Sequence, residues 1–317
     1  MKAIVLQQTG GVENLVIKEV PVPAIKDNEV LIQNKAIAIN PVDAFVRGNA
    51  GALQGIVRPA EGADIILGWD IAGEVVATGK DVKDFKTGDA VFGMVNFPGQ
   101  GSAYAEYVAA PADHVALKPA NTTYEKAAAA SLAALTAWQA LVVHGQVKKG
   151  DKVLIHAAAG GVGHYAVQIA KHFGAYVIGT ASAAKKEGVL SFGANEYIDY
   201  NQQPFESLVT DADIVLDSLG IPGHLERSLS AVKNNGRLIS LLVFPDDAFK
   251  QQAAAKNVYV HRLTVNSDGK DISSIASLLE QGALHSDIAE TFPFEEMGKA
   301  HEKVAGGKTQ GKIVVNV

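Results

Sequence analysis

Residues 151–182 read Asp-Lys-Val-Leu-Ile-His-Ala-Ala-Ala-Gly-Gly-Val-Gly-His-Tyr-Ala-Val-Gln-Ile-Ala-Lys-His-Phe-Gly-Ala-Tyr-Val-Ile-Gly-Thr-Ala-Ser, a short apolar run, a glycine-rich turn, a helical pattern and a second apolar run. Strand, turn, helix and strand in that order specify a parallel βαβ unit, because a parallel partner needs a long crossover. Gly160, Gly161 and Gly163 let the backbone turn tightly and approach a pyrophosphate seated on the free N–H groups of a helix that starts near Val162. Ala159 to Gly163 are therefore candidate cofactor contacts, with Ala158 standing where the G-x-G-x-x-G fingerprint has its first glycine. The strand before the turn and the helix after it supply the context that a lone glycine triplet lacks.

The end of the second apolar run points to the type of dinucleotide. A site built for NAD places Asp or Glu there to hold the ribose hydroxyls. This chain has Thr180, Ala181 and Ser182, followed by Lys185 and Lys186. A hydroxyl and two cations match a 2′-phosphate, since charge-assisted hydrogen bonds to phosphate are about twice as strong as neutral ones. NADPH is the expected cofactor, with Ser182, Lys185 and Lys186 as its phosphate partners.

Beyond this unit, strand and helix patterns alternate at 183–192, 196–200, 213–217, 225–233, 237–243 and 258–263, which predicts a parallel sheet covered by helices on both faces. Residues up to about 119 instead read as short strands and turns (1–6, 15–19, 30–39, 73–77, 90–93 and 103–108), a β-rich unit. An Ala-rich helix is expected at 125–143, two more at 272–281 and 295–305, and a last strand at 312–317. The 317 residues and 48% hydrophobic content suit two cores. A net charge of -6 gives no electrostatic footprint for nucleic acid, and no apolar run has bilayer length, so neither nucleic acid nor membrane is an expected partner and a cytoplasmic location is expected. With no cysteine, disulfides, thiolate nucleophiles and Cys-based zinc sites are excluded. The nine histidines form no helical i, i+4 pair framed by a carboxylate, so no metal is expected.

Several separated segments occur in a specific joint order: Met1-Lys-Ala-Ile4, Asn40-Pro-Val-Asp43 with Arg47-Gly48, Gly68-Trp-Asp-Ile-Ala-Gly-Glu-Val75, Lys86-Thr-Gly-Asp-Ala-Val91, Ala158-Ala-Gly-Gly-Val-Gly163, Phe192-Gly-Ala194, Asp217-Ser-Leu-Gly220 and Gly307-Lys-Thr-Gln-Gly-Lys-Ile-Val314. In these the chain resembles the zinc-independent quinone oxidoreductase branch of the medium-chain dehydrogenase/reductase superfamily, which includes zeta-crystallin-like proteins. The resemblance spans essentially the whole chain. It implies an α/β fold: a GroES-like β-rich catalytic domain built from both chain ends, and a Rossmann doubly wound parallel sheet inserted between them. The expected boundaries are 1–122 and 266–317 for the former and 123–265 for the latter. The zinc-dependent branch would carry a Cys near Asn40 and a His near Trp69; here both ligands are missing.

What the resemblance implies for chemistry is hydride transfer from NADPH to a quinone, or to an alkenal or enone, with a non-catalytic NADPH-binding protein as the other class. It places Asn40 at the nicotinamide pocket, where its amide can bond an oxygen of substrate or cofactor, and Thr136 near the nicotinamide phosphate. Asp43 and Arg47, four apart, are expected to form a helix-face ion pair that orients the Asn40 loop. Some relatives carry Tyr at Phe45. Tyr200 falls where relatives put a tyrosine at the adenosine end. Leu219, Gly220, Leu242, Val243 and Phe244 lie just past strand ends, where a doubly wound sheet opens its ligand crevice. Lys308 and Lys312 are turn lysines able to reach a phosphate. Residues 258–263 form an apolar edge strand without a proline or a lysine row, and relatives pair this edge about a two-fold axis, so a homodimer is expected.

Overall fold

The computed structural model describes residues 1–317, and the chain divides into two units, 136–264 and the combination of 1–135 with 265–317. The division thus falls at Thr136 and not at 123. Helix Tyr124–Ala129 packs on strands Glu29–Ile39 and Asp70–Thr78 of the first unit. Thr123 caps its start by accepting a hydrogen bond from the Lys126 N–H. The helical stretch expected over 125–143 breaks after Ala129, resumes as Leu132–Trp138 and ends in a π-helical turn, Gln139–His144.

In the unit 136–264 six parallel strands lie in the order Glu196–Asp199, Tyr176–Ala181, Lys152–Ile155, Ala212–Asp217, Val232–Ser240 and Tyr259–Arg262. The sequence runs outward from Lys152–Ile155 in one direction, then returns to its other side, so the topological switch lies between Lys152–Ile155 and Ala212–Asp217. Ligands of such sheets bind beyond the strand ends at that point. Val153, Leu154, Ile155, Val215 and Leu216 are fully enclosed, as a central strand covered on both faces requires. Tyr259–Arg262 is the terminal strand of the sheet, and its residues are half-buried or exposed. Helix Asp247–Ala255, absent from the sequence reading, precedes it and is capped by the Asp246 carboxylate accepting from the Phe249 N–H.

The other unit holds a seven-stranded sheet in the order Ile288–Pro293, Lys312–Asn316, Glu29–Ile39, Asp70–Thr78, Ala90–Met94 and Val115–Leu117, with Tyr107–Pro111 also paired to Glu29–Ile39. A three-stranded sheet, Leu15–Glu19, Lys2–Leu6 and Ile65–Ile66, completes it. The last strand lies antiparallel to Glu29–Ile39 with Ile313 opposite Ile39, so segments from before and after the six-stranded sheet build one sheet. The expected strand at 103–108 forms later, as Tyr107–Pro111. Ala103 to Ala105 instead run through the core, and Asn34 Nδ2 donates to the carbonyls of Ala103 and Ala105 at 3.0 and 2.8 Å.

Candidate active site

The glycine turn begins at His156, directly after strand Lys152–Ile155. Ala157 takes the left-handed region at φ 50, unusual for a residue with a Cβ, and its carbonyl accepts from the Gly160 N–H at 2.8 Å. A Cβ at Gly163 would lie 2.2 Å from the Ala157 carbonyl oxygen, so only glycine lets helix Gly163–His172 start this close to the turn. The N–H groups of Gly161, Val162 and Gly163 lie at this helix start, which leaves them for an anion. Ala158 packs where the first fingerprint glycine would be: a Cβ on Gly179 of the adjacent strand would come within 2.8 Å of the Ala158 Cβ. The methyl group and the strand glycine are thus complementary.

Strand Tyr176–Ala181 ends at buried Ala181, and no carboxylate of its own follows. Asp199 lies opposite Ala181 on the next strand, its Oδ1 accepting from Asn201. Ser182 precedes the short turn Ala183–Lys185, and its carbonyl accepts from the Lys185 N–H. Partial burial pulls the Lys185 ammonium below its ordinary range, and Lys186 Nζ lies 6.0 Å from the centre of the Tyr197 ring. The two lysines, Ser182 and exposed Tyr200 therefore stand around the ends of neighbouring strands. Leu219 and Gly220 follow the end of Ala212–Asp217, and Leu242, Val243 and Phe244 follow Val232–Ser240. Leu242 is 57% and Phe244 73% exposed, a large apolar display for two neighbouring loop positions. Gly220, Val243 and Phe244 share a cavity of about 320 Å³ with Pro222, Pro245 and Phe249. Thr136 is buried on helix Leu132–Trp138, and Lys308 is exposed in the turn before the last strand.

In the other unit, Asn40 caps helix Pro41–Gly48 and is buried. Its backbone N–H donates to Asp43 Oδ2 at 2.7 Å, and its side-chain Nδ2 donates to Asp70 Oδ2 at 2.8 Å. Lys312 Nζ donates to Asn40 Oδ1 and, at 3.2 Å, to the Ile39 carbonyl, and lies 3.7 Å from Asp70 Oδ2. These bonds fix which way the Asn40 amide faces and leave one Nδ2 hydrogen over. Asp70 Oδ1 accepts from the Leu132 N–H at 2.7 Å, so the carboxylate also caps that helix. Burial raises Asp70 to about 6, with Lys312, Asn40 and Leu132 pulling it back. Burial, and then the Asp70 charge, raise Asp43 to about 7. Lys312 is pushed down by burial, against the attraction of Asp70 and Asp43.

Two expectations are corrected here. Asp43 and Arg47 do not pair: Asp43 is fully enclosed and its Oδ2 accepts from the Asn40 N–H, while Arg47 Nη1 donates to the Gly10 carbonyl. Asp43 is thus bonded to the residue that starts helix Pro41–Gly48 rather than to the arginine one turn on. Lys312, read as a turn lysine for phosphate, is 3% exposed and committed to Asn40 and Asp70. The sequence reading also missed Asp70, Tyr104 and His301. The buried Tyr104 hydroxyl lies 2.9 Å from His301 Nε2, and burial, with the Asp43 charge next, holds it well above the ordinary tyrosine range. Asp70 belongs to the segment Gly68–Val75, and its place two residues beyond Gly68 is the only mark it carries in the sequence.

A GroES-like β-rich unit joined to a doubly wound dinucleotide sheet defines an alcohol-dehydrogenase-like oxidoreductase class. The chain matches the alcohol dehydrogenase GroES-like domain family over residues 26–120 and the zinc-binding dehydrogenase family over residues 192–315. It is 35% identical to the 2-methylene-furan-3-one reductase of Solanum lycopersicum, over 100% of this chain and 79% of that protein. The quinone oxidoreductase of Coxiella burnetii matches with a TM-score of 0.91 and 33% identity, over 100% of this chain and 99% of that one. Escherichia coli quinone oxidoreductase, solved in complex with NADPH, matches with a TM-score of 0.87 and 29% identity over 100% of both chains. The chain belongs to the quinone oxidoreductase branch of the medium-chain dehydrogenase/reductase superfamily.

Proposed function

We propose that the protein is an NADPH-dependent reductase that delivers hydride to quinones or other small conjugated carbonyls without a catalytic metal. The carrying observation is the glycine turn of the unit 136–264, whose Gly161 to Gly163 N–H groups are left for an anion; the Asn40 cluster of the other unit holds no zinc-type ligand set. Where the zinc branch has its ligands, this chain has an amide whose oxygen takes the Lys312 ammonium, and Trp69, which is buried and donates to the Gly99 carbonyl at 2.8 Å. Neither side chain is a metal donor of the zinc type. The residues fit the dinucleotide: N–H groups of Gly161 to Gly163 suit the pyrophosphate, and Ser182, Lys185 and Lys186 suit a 2′-phosphate. Bound NADPH supplies the hydride. Asn40, held by Asp43, Asp70 and Lys312, offers its remaining Nδ2 hydrogen to an oxygen that gains charge.

Reduction of an alkenal or enone is the second reading, favoured by the tomato relative, whose name describes a furanone reductase. Both substrates are conjugated carbonyls, and the exposed Leu242 and Phe244 give either an apolar surface. Steady-state turnover of 9,10-phenanthrenequinone against 2-hexenal, each with NADPH, separates them. Tight NADPH binding with no oxidation by either substrate would instead define a non-catalytic NADPH-binding protein. We further propose a cytoplasmic homodimer paired through Tyr259–Arg262, the open end of the six-stranded sheet. No helix is long and apolar enough to cross a membrane.

A further inference from the structure

We infer that His156, Asp217 and His224 form a divalent transition-metal site, best suited to zinc, inside the nucleotide-binding unit and separate from the Asn40 cluster. The three residues are far apart in sequence and show no spacing motif. The fold brings one ligand atom of each within 4.8 Å of the others, all three side chains buried. Asp217 Oδ2 lies 2.8 Å from His224 Nδ1, and the Ser228 hydroxyl lies 2.8 Å from that oxygen and 3.1 Å from His156 Nε2. Tetrahedral zinc with nitrogen and oxygen ligands at about 2.0–2.2 Å spans donors with separations of this order. Two imidazoles and a carboxylate select zinc, cobalt or nickel over magnesium or calcium, which take oxygen ligands.

The surroundings orient the donors as outer partners of a metal do. His156 Nδ1 is hydrogen-bonded to Thr180 Oγ1 at 3.1 Å, which leaves Nε2 facing the centre. Asp217 Oδ1 accepts from the Leu219 N–H at 2.9 Å, which leaves Oδ2 inward. The nearby cation does not serve Asp217: Arg227 makes two bonds to Glu206, at 2.7 and 2.9 Å. The Phe205 ring lies 4.4 Å from the His156 ring and 5.2 Å from the His224 ring, giving the centre an apolar wall. Without an ion, the hydrogens of His224 and Ser228 bridge to Asp217. An ion at the centre would take the place of the His224 Nδ1 hydrogen, with the ring in its other tautomer. Because His156 opens the glycine turn and His224 follows loop 218–223, the ion fastens the two loops that flank the switch between strands.

The test uses tag-free protein purified from zinc-supplemented cultures, with zinc content by mass spectrometry and Co²⁺ titration followed by visible absorption. One zinc per chain, tetrahedral cobalt bands saturating at one equivalent and a melting temperature raised by zinc are expected. His224→Gln, checked for fold by circular dichroism, should lose the stoichiometric metal and the zinc-induced shift. Thr180→Val, which touches no metal, should weaken cobalt binding by about tenfold or more, and Ser228→Ala should retain it. Wild-type protein that holds no zinc and shows no cobalt bands overturns the inference. So does metal binding that survives in His224→Gln, which would move the site to another pair such as the stacked rings of His144 and His261, 3.7 Å apart.

Discussion

The Lys312 ammonium donates to the side-chain carbonyl of Asn40, so the final strand holds the residue that caps helix Pro41–Gly48. Both side chains are buried, and Asp70 completes the group. Lys312→Met leaves Asp70 enclosed without its cation. Removing one partner of a buried pair destabilises by about 3–5 kcal/mol, and the urea midpoint should fall accordingly. Turnover measured well below the new midpoint should fall as well, because the Asn40 amide loses one of the two bonds that set its direction.

His301 gives a pH signature. Burial lowers it from the ordinary 6.5 to about 3. A group depressed in the folded state contributes stability that is present above its unfolded value and lost as pH falls towards the folded one. The window is therefore 6.5 down to 3. Relative to the parent, His301→Gln should gain about 1.4 kcal/mol for each pH unit lowered within it. Denaturation curves of both proteins at several pH values check this, and a constant difference would show that His301 titrates normally.

The glycine turn predicts opposite effects at two positions. Ala157→Gly removes a left-handed alanine and should stabilise by on the order of 0.5–1 kcal/mol after the entropy of the added glycine is counted. Gly163→Ala places a Cβ 2.2 Å from the Ala157 carbonyl oxygen, so the helix start must shift. Melting temperature should rise for the first and fall for the second, and only the second should lose NADPH affinity.

Lys185→Ala and Lys186→Ala should weaken NADPH binding by about 1.5–3 kcal/mol for each charged hydrogen bond removed, while NADH binding stays nearly unchanged. Titrations followed by nicotinamide fluorescence measure both. Equal affinities for NADH and NADPH in the parent protein would refute the phosphate assignment.

The strand edge carries the assembly prediction. Val260 lies opposite Leu238 on one side, with no strand of this chain beyond it. Light scattering should give twice the 33.2 kDa chain mass for the parent and a shift towards the single chain for Val260→Lys.

The parallel sheet was legible because each of its strands is a short apolar run bounded by turns, and the glycine turn because its backbone demands are local. Helix Asp247–Ala255 was not, since its short alanine-rich run buries few side chains, chiefly Phe249 and Ala253. The break after Ala129 was hidden too: the alanines are good helix formers throughout, and the interruption falls where Ser131 and Leu132 meet Ile71 and Asp70. Nor does any local pattern mark Lys312 as the partner of Asn40, or His224 as a neighbour of His156, because both depend on strands that meet only in three dimensions.

The pairing of Lys312–Asn316 with Glu29–Ile39 also orders events during synthesis. Residues 136–264 are continuous and leave the ribosome as a complete sheet, able to fold while the chain is still growing. The first 135 residues emerge earlier yet must wait, because Glu29–Ile39 lacks one neighbour and Asn40 lacks its ammonium until the last strand arrives. A nascent chain stalled just short of Lys312 should therefore protect its middle from protease and leave its beginning open to cleavage.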